Sequence, residues 1–200
     1  MSKKSYKGRV FEIWLAGELS KWWTQDREGG ARDDVFWHTH DSGGRATKRS
    51  RKGKKTKGLC GDICATDSIG EPLLDLITIE AKKGYSRSTV ADILDKPEGA
   101  AEQTYEKWFK QAEESHVQAG SFSWMVVAKR DRRETMVYMP GELKDKLDVD
   151  EGQIRGIIYS DHEQILDHGE VFIISLADWL DRIMPWDVER LAKKWKEKNQ

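Results

Sequence analysis

The sequence predicts a mixed α/β domain, a central sheet flanked by helices. Three observations predict it. Apolar residues recur at three- and four-residue spacing near the start of the chain, which is the period of a helix. Short runs rich in Val, Ile, Leu and Thr follow as strand candidates, separated by Gly, Pro and charged turns. Helical patterning then returns in the middle of the chain and again at its end. With 200 residues, 38% of them hydrophobic, the chain can bury a sizeable core without disulfide or metal staples, and 1–200 reads as one domain.

From Tyr6 to Trp23 the residues Phe11, Trp14, Leu15, Leu19 and Trp22 keep helical spacing, and Gly29-Gly30 follow, so a first helix is expected there. Residues 41–57 carry eight basic side chains, one acid and almost no apolar surface, too little to pack as a regular element, so a basic loop is expected. Leu59 to Ala65 and Leu73 to Lys82 read as two strands joined by a turn around Asp67 to Pro72, a hairpin. Pro97 opens a helix that runs to Gly120, with Tyr105, Trp108, Phe109 and Ala112 on its buried face. Phe122 to Ala128 and Thr135 to Met139 form a second hairpin around the charged Lys129 to Glu134, and Ile154 to Tyr159 and Val171 to Ile174 add strands. Two closing helices, Leu176 to Met184 and Trp186 to Lys198, are interrupted at Pro185. On this reading 1–120 is the core with the basic loop, and 121–200 supplies the remaining strands and the closing helices.

The formal net charge of -1 conceals an uneven distribution, because the basic residues crowd one segment. No apolar run is long enough to span a bilayer, and Met1-Ser2-Lys3-Lys4 is not followed by an apolar leader, so no membrane partner and a cytoplasmic location are expected. Cys60 and Cys64 lack a second Cys/His pair placed to complete a zinc tetrahedron and read as reduced thiols. His38 and His40 beside Asp41 suggest a metal, but no third ligand cluster accompanies them, and exposure in a loop near a phosphate path accounts for them as well. Core packing is the default for the nine tryptophans, with Trp22, Trp23 and Trp37 as base-stacking candidates.

The chemistry concentrates in Gly61-Asp62-Ile63 and Ile77-Thr78-Ile79-Glu80-Ala81-Lys82. In a strand side chains alternate, so Glu80 and Lys82 share one face while Ile77, Ile79 and Ala81 take the packed one. If Asp62 lies on a neighbouring strand facing that patch, two carboxylates converge on a hard, oxygen-seeking cation, which suits magnesium and not zinc. Lys82 would then position the attacking water or face the charge developing on phosphorus. Asp67 and Asp75 compete with Asp62 for this place. The basic run Arg45, Lys48, Arg49, Arg51, Lys52, Lys54, Lys55 and Lys57 reads either as a solvated charge run or as contact with phosphates, in which case affinity falls steeply with salt.

These two segments resemble the signature of the PD-(D/E)xK nuclease superfamily: an acid, a spacer, then an apolar run ending in (D/E)-x-K. The resemblance is closest to archaeal Holliday-junction resolvases and phage-type nucleases, which open with Lys-Gly and a helix bearing a metal-binding Glu, matched by Lys7-Gly8 and Glu12. Their Ser-Gly-rich basic loop is matched by Ser42, Gly43, Gly44 and Arg45. The resemblance implies a restriction-endonuclease-like sheet with a basic loop insertion and extra C-terminal helices. It further implies a magnesium or manganese ion on Asp62, Glu80, the Ala81 carbonyl and Glu12, and a homodimer acting on DNA, branched DNA above all. Glu18, on a nearby helical face, is the alternative to Glu12. Gln103 is where some relatives place a polar site residue, and Lys83 and His40 are further candidate positions. Gly61 stands where the motif has Pro, and the basic insertion is longer than a resolvase loop needs. Two other classes remain beside the nuclease: a non-catalytic nucleic-acid-binding protein on the same sheet, and a phage assembly or packaging adaptor.

Overall fold

The structure, a computed structural model, describes residues 3–39, 60–85, 87–97, 99–150, 152, 154–159 and 170–199. The basic segment 41–57, with Ser42, Gly43, Gly44 and its eight cations, and His40 lie outside the described residues.

Helix α1 (Lys3–Thr24) opens the chain and buries Phe11, Leu15, Leu19, Trp22 and Trp23 along one side, as the period requires. Strand β1 (Phe36–His38) pairs antiparallel with β2 (Ile63–Ala65). A 3-10 turn (Ser68–Gly70) leads into a short helix α2 (Glu71–Leu76) and strand β3 (Ile77–Lys83). Helices α3 (Ala91–Leu94) and α4 (Thr104–Ala119) precede β4 (Ser123–Lys129) and β5 (Thr135–Pro140). After α5 (Gly141–Lys146) come β6 (Gly156–Tyr159), β7 (Glu170–Ser175), α6 (Leu176–Arg182) and α7 (Pro185–Asn199).

The five-stranded sheet has the order β3-β4-β5-β7-β6. β3 and β4 are parallel, linked across α4, and every other pair is antiparallel, which makes the sheet mixed. Helices cover both of its faces. One face of β3 and β4, with Ile77, Ile79, Ala81, Met125 and Val127, packs against α1, α6 and α7. The other, with Trp124, Val126 and Ala128, packs against Tyr105, Trp108, Phe109 and Ala112 of α4. This is a restriction-endonuclease-like α/β arrangement with additional C-terminal helices, as expected from the sequence.

Several elements differ from the sequence reading. Residues 73–76 are helical, because Gly70 and Pro72 start a turn of helix that buries Leu73 and Leu76 before the strand begins at Ile77. That helix prevents a tight hairpin, so β2 pairs with β1, and the chain before it meets β3 through the Asp62 N–H on the Ile79 carbonyl, 2.8 Å, rather than through a strand ladder. Pro97 does not start the long helix. Gln103 and Glu106 form a reciprocal capping box that sets the start at Thr104, and Gly120, at φ 70°, ends it. Strand β1 was not foreseen, and it moves His38 and Thr39 from an exposed loop into the interior, 3% and 8% exposed. Trp22 and Trp23 are core residues, whereas Trp37 keeps 41% exposure. Cys60 and Cys64 are not joined in a disulfide.

Candidate active site

β3 is an edge strand of the five-stranded sheet, and its free edge is where the two acid-bearing segments meet. Gly61 makes the approach possible. It sits at φ 81°, and a Cβ there would stand 2.8 Å from the Ile79 carbonyl oxygen. Proline, held near φ −65°, cannot adopt this conformation, which explains the departure from the PD pattern. With the backbone docked, Asp62 Oδ2 accepts from the Ala81 N–H at 2.9 Å. In an extended strand the N–H and C=O of one residue project to the same edge, so the Ala81 carbonyl is directed towards the side on which Asp62 lies.

Glu80 and Lys82 lie on the α4 face of β3, as their shared parity demands. Lys82 Nζ reaches Glu80 Oε2 at 2.6 Å and Asp62 Oδ2 at 3.5 Å, spanning the two carboxylates. Glu80 is only 1% exposed. Its remaining donors come from α4, Gln111 Nε2 to Oε2 at 2.8 Å and Ser115 Oγ to Oε1 at 3.0 Å. These two positions are one helical turn apart and therefore face the same way. Sequence reasoning missed both. The available signal was a pair of polar residues at i, i+4 beside the apolar face of a helix that packs on the motif strand.

The electrostatics follow from crowding. Burial, reinforced by the Asp62 charge, raises Glu80 from 4.5 to about 7, even though Lys82 and Ser115 oppose the shift. Glu12 on α1 is likewise raised to about 7, by burial first and then by Asp62 and Glu80, with Lys82 pulling the other way. Burial alone would lower Lys82, but Asp62 and Glu80 outweigh it and hold the ammonium above its ordinary value. Glu12 therefore belongs to the same electrostatic cluster. Gly8, one turn earlier, leaves its carboxylate uncovered, since an added Cβ would only touch Oε1 at 3.8 Å. His38 Nδ1 stands 3.7 Å from Glu12 Oε2, a neighbour that sequence reasoning did not connect with the site.

Other candidates are placed elsewhere. Glu18 pairs with Lys21 at 3.0 Å. Asp67 caps the 3-10 turn and pairs with Arg32, and Asp75 pairs with Lys196. The Gln103 side chain caps α4 and donates to the Ala101 carbonyl at 2.9 Å, so the glutamine that touches Glu80 is Gln111, two turns further on. Lys83 points to the other side of β3 from Lys82 and lies over the Phe11 ring, 5.9 Å from its centroid.

Among the described residues no three His, Cys, Asp or Glu side chains are set to hold a metal ion as they stand, and Lys82 spans the two nearest acids. The donor set nevertheless fits a hard divalent cation and not a soft one: carboxylate oxygens and a backbone carbonyl, one acid buried, and mutual repulsion that a cation would relieve.

A family model described as "Phage putative PDDEXK endonuclease" matches residues 3–190. It extends through β7 and α6 into α7, well past the first half in which the sequence motifs lie. No curated protein and no solved structure matches the chain. No helix among the described residues is long and apolar enough to cross a membrane.

Proposed function

Because this chain belongs to the family of phage PDDEXK endonucleases, we propose that it hydrolyses phosphodiester bonds in DNA. The divalent cation is magnesium, with manganese as the alternative, held by Asp62, Glu80, the Ala81 carbonyl and Glu12. The observation that carries this reading is the Lys82 ammonium lying 2.6 Å and 3.5 Å from the Glu80 and Asp62 carboxylates on one edge of the sheet.

When bound, the cation supplies a Lewis acid for a phosphate oxygen and lowers the pKa of a coordinated water. The protein supplies the rest. Gln111 and Ser115 fix the Glu80 carboxylate so that its oxygens do not have to reorganise during the reaction. The Ala81 N–H fixes Asp62 in the same way. Lys82, charged and pinned between two acids, is placed to orient the attacking water and to face negative charge developing on the phosphoryl oxygens. In the metal-free site burial and the neighbouring carboxylates raise Glu12 to about 7, so that it holds a proton near neutral pH that a bound cation would displace. The segment 41–57 contacts phosphates without reading sequence.

The finer reading is structure-selective cutting of branched DNA by a homodimer formed from one nuclease domain per chain. The Lys7-Gly8 and Glu12 opening supports the substrate. Tyr6, Val10 and Trp14, four residues apart on α1 and 66%, 44% and 44% exposed, support a two-fold apolar contact. The test incubates wild type, Asp62→Ala and Lys82→Ala with linear, flapped and four-way DNA, in magnesium and in EDTA. Metal-dependent cleavage by the wild type, lost in both variants while DNA binding survives, is expected. Cleavage that persists in both variants removes the assigned site, and binding without cleavage in any condition leaves a nucleic-acid binder.

A further inference from the structure

A cavity of about 280 Å³ opens on the same face of the sheet as Glu80 and Lys82, beneath the start of α4. Tyr105 and Tyr138 line it together with Ala128, and Arg130, Arg133 and Glu134 come from the β4–β5 connection and the residue before β5. We propose that this cavity holds a backbone phosphate of the DNA strand bound at the catalytic carboxylates, through the guanidinium groups of Arg130 and Arg133. The proposal rests on the reading of the chain as a DNA nuclease and adds a binding site to it.

Three observations carry it. First, neither arginine has a carboxylate partner among the described residues, although both line a cavity that contains an acid. Arginines left unpaired at a concave surface suit a planar, bidentate grip on a phosphate. Second, the cavity is next to the chemistry. Lys82 pairs directly with Ala128 across the parallel strands, a separation of about 5 Å, and the next strand is about 10 Å away. At 3.4 Å of rise per nucleotide this is roughly one to three nucleotides along a strand. Third, an aromatic run links the two places. Tyr85, three residues past Lys82 and 46% exposed, meets Trp108 at 4.8 Å between ring centroids, Trp108 meets Tyr105 at 4.5 Å, and Tyr105 meets Tyr138 at 5.4 Å. Tyr85 is the ring of this run that a strand can meet; Trp108, Tyr105 and Tyr138, 6%, 2% and 4% exposed, are packed behind it and hold the cavity wall in place. At the floor, burial and then the neighbouring Tyr105 push the Tyr138 phenol above its ordinary range against the pull of Arg130, so its hydroxyl remains a donor at any working pH.

The experiment measures binding with the metal withheld, so that it does not depend on catalysis. Wild type, the double variant Arg130→Ala/Arg133→Ala, Glu134→Gln and Arg132→Asn are titrated with fluorescent DNA duplexes in EDTA over a range of salt, after melting curves show that each is folded. Arg132 shares the loop without lining the cavity, and Asn tolerates its φ of 60°. The double variant is expected to bind about tenfold more weakly, with a salt slope shallower by roughly two, about 0.9 per lost contact. Glu134→Gln tightens binding, and Arg132→Asn changes it by less than about twofold. A 5′-phosphorylated oligonucleotide should bind no better than its unphosphorylated form, because the phosphate held is internal to the strand. Unchanged binding by the double variant, an equal loss in Arg132→Asn, or an arginine-dependent thermal shift with inorganic phosphate alone and no effect on DNA would each overturn the proposal. If the double variant binds normally and wild type still cuts in magnesium, only this inference fails. If wild type binds through the two arginines and never cuts, the catalytic reading fails and this cavity stands.

Discussion

Replacing Glu12 by glutamine should make the metal-free protein more stable at pH 8 while removing its activity. Glu12 is raised from 4.5 to about 7 by burial and by the Asp62 and Glu80 charges. In the unfolded chain it loses its proton near 4.5, whereas in the fold it keeps it until about 7. Between those values the native state binds more protons than the unfolded one, so stability falls as pH rises through this window, and the full cost is present above it. A gap of about 2.5 units, at about 1.4 kcal/mol each, sets a ceiling of about 3 kcal/mol. The side chain keeps 22% exposure, so solvent screening brings the expected cost to about 1–2 kcal/mol. Glutamine cannot ionise and escapes this cost. For a chain of 200 residues that is a melting-temperature gain of roughly 2–8 °C at pH 8, shrinking to nothing near pH 4.5, where wild-type Glu12 is itself half protonated in the unfolded chain and neutral in the fold. Differential scanning in EDTA from pH 4.5 to 8.5 measures it. A difference between the two proteins that is independent of pH, or largest at the acid end, would refute the reasoning.

Gly61→Ala should lower stability by about 1–2 kcal/mol from positive-φ strain alone, with more from the 2.8 Å approach to the Ile79 carbonyl. Cleavage should be lost with the protein still folded, as read by melting temperature and nicking assay on one sample. Removing the Glu80 donors, Gln111→Leu or Ser115→Ala, should cost about tenfold or more in kcat/KM, the worth of one hydrogen bond to a charge. Because Ser115 and Lys82 hold the Glu80 pKa down, Ser115→Ala should also move the acid limb of the pH–rate profile to higher pH, whereas a purely structural loss would leave its midpoint in place. Changing Lys52, Lys54, Lys55 and Lys57 together to Gln should flatten the salt dependence of duplex affinity by up to about 3.6 in slope, and an unchanged slope would mean that this segment does not contact phosphates.

The grouping of Glu80 and Lys82 with Asp62 was more legible in the sequence than the chain path that brings them together. Strand alternation alone places Glu80 and Lys82 on one face and Ile77, Ile79 and Ala81 on the other, and both faces are as expected. The long helices are legible because their apolar stripes repeat over several turns; α1 and α4 carry them through Leu19 and Ala112. Short elements carry too few residues for a period to register. Strand β1 has three residues, and α2 is six residues of a leucine-rich run that continues into β3, so the boundary at Ile77 depends on packing. The start of α4 was misplaced for a different reason. Pro97 is an acceptable first-turn residue, but the capping box of Gln103 and Glu106 satisfies two backbone donors together and competes better. Gln111 and Ser115 were invisible as site residues because nothing along the chain states which helix covers the Glu80 face.

Charge balance accounts for why these groups can share so small a space. Glu12, Asp62 and Glu80 bring three negative charges when ionised, and Lys82 brings one positive, leaving two negative charges in excess. The protein absorbs that excess by holding two of the acids at a pKa of about 7, so that protons occupy part of the site near neutrality. Three donors around the buried Glu80, from Lys82, Gln111 and Ser115, keep the carboxylate from leaving for solvent while it is uncompensated. A single divalent cation carries the two positive charges the cluster lacks. It would displace those protons and draw Glu12 and Glu80 back towards the ordinary carboxylate range. On the proposed metal site, the same strain that costs the metal-free fold stability would favour a doubly charged ion over a singly charged one, and metal affinity would rise with pH through the window in which the two glutamates ionise.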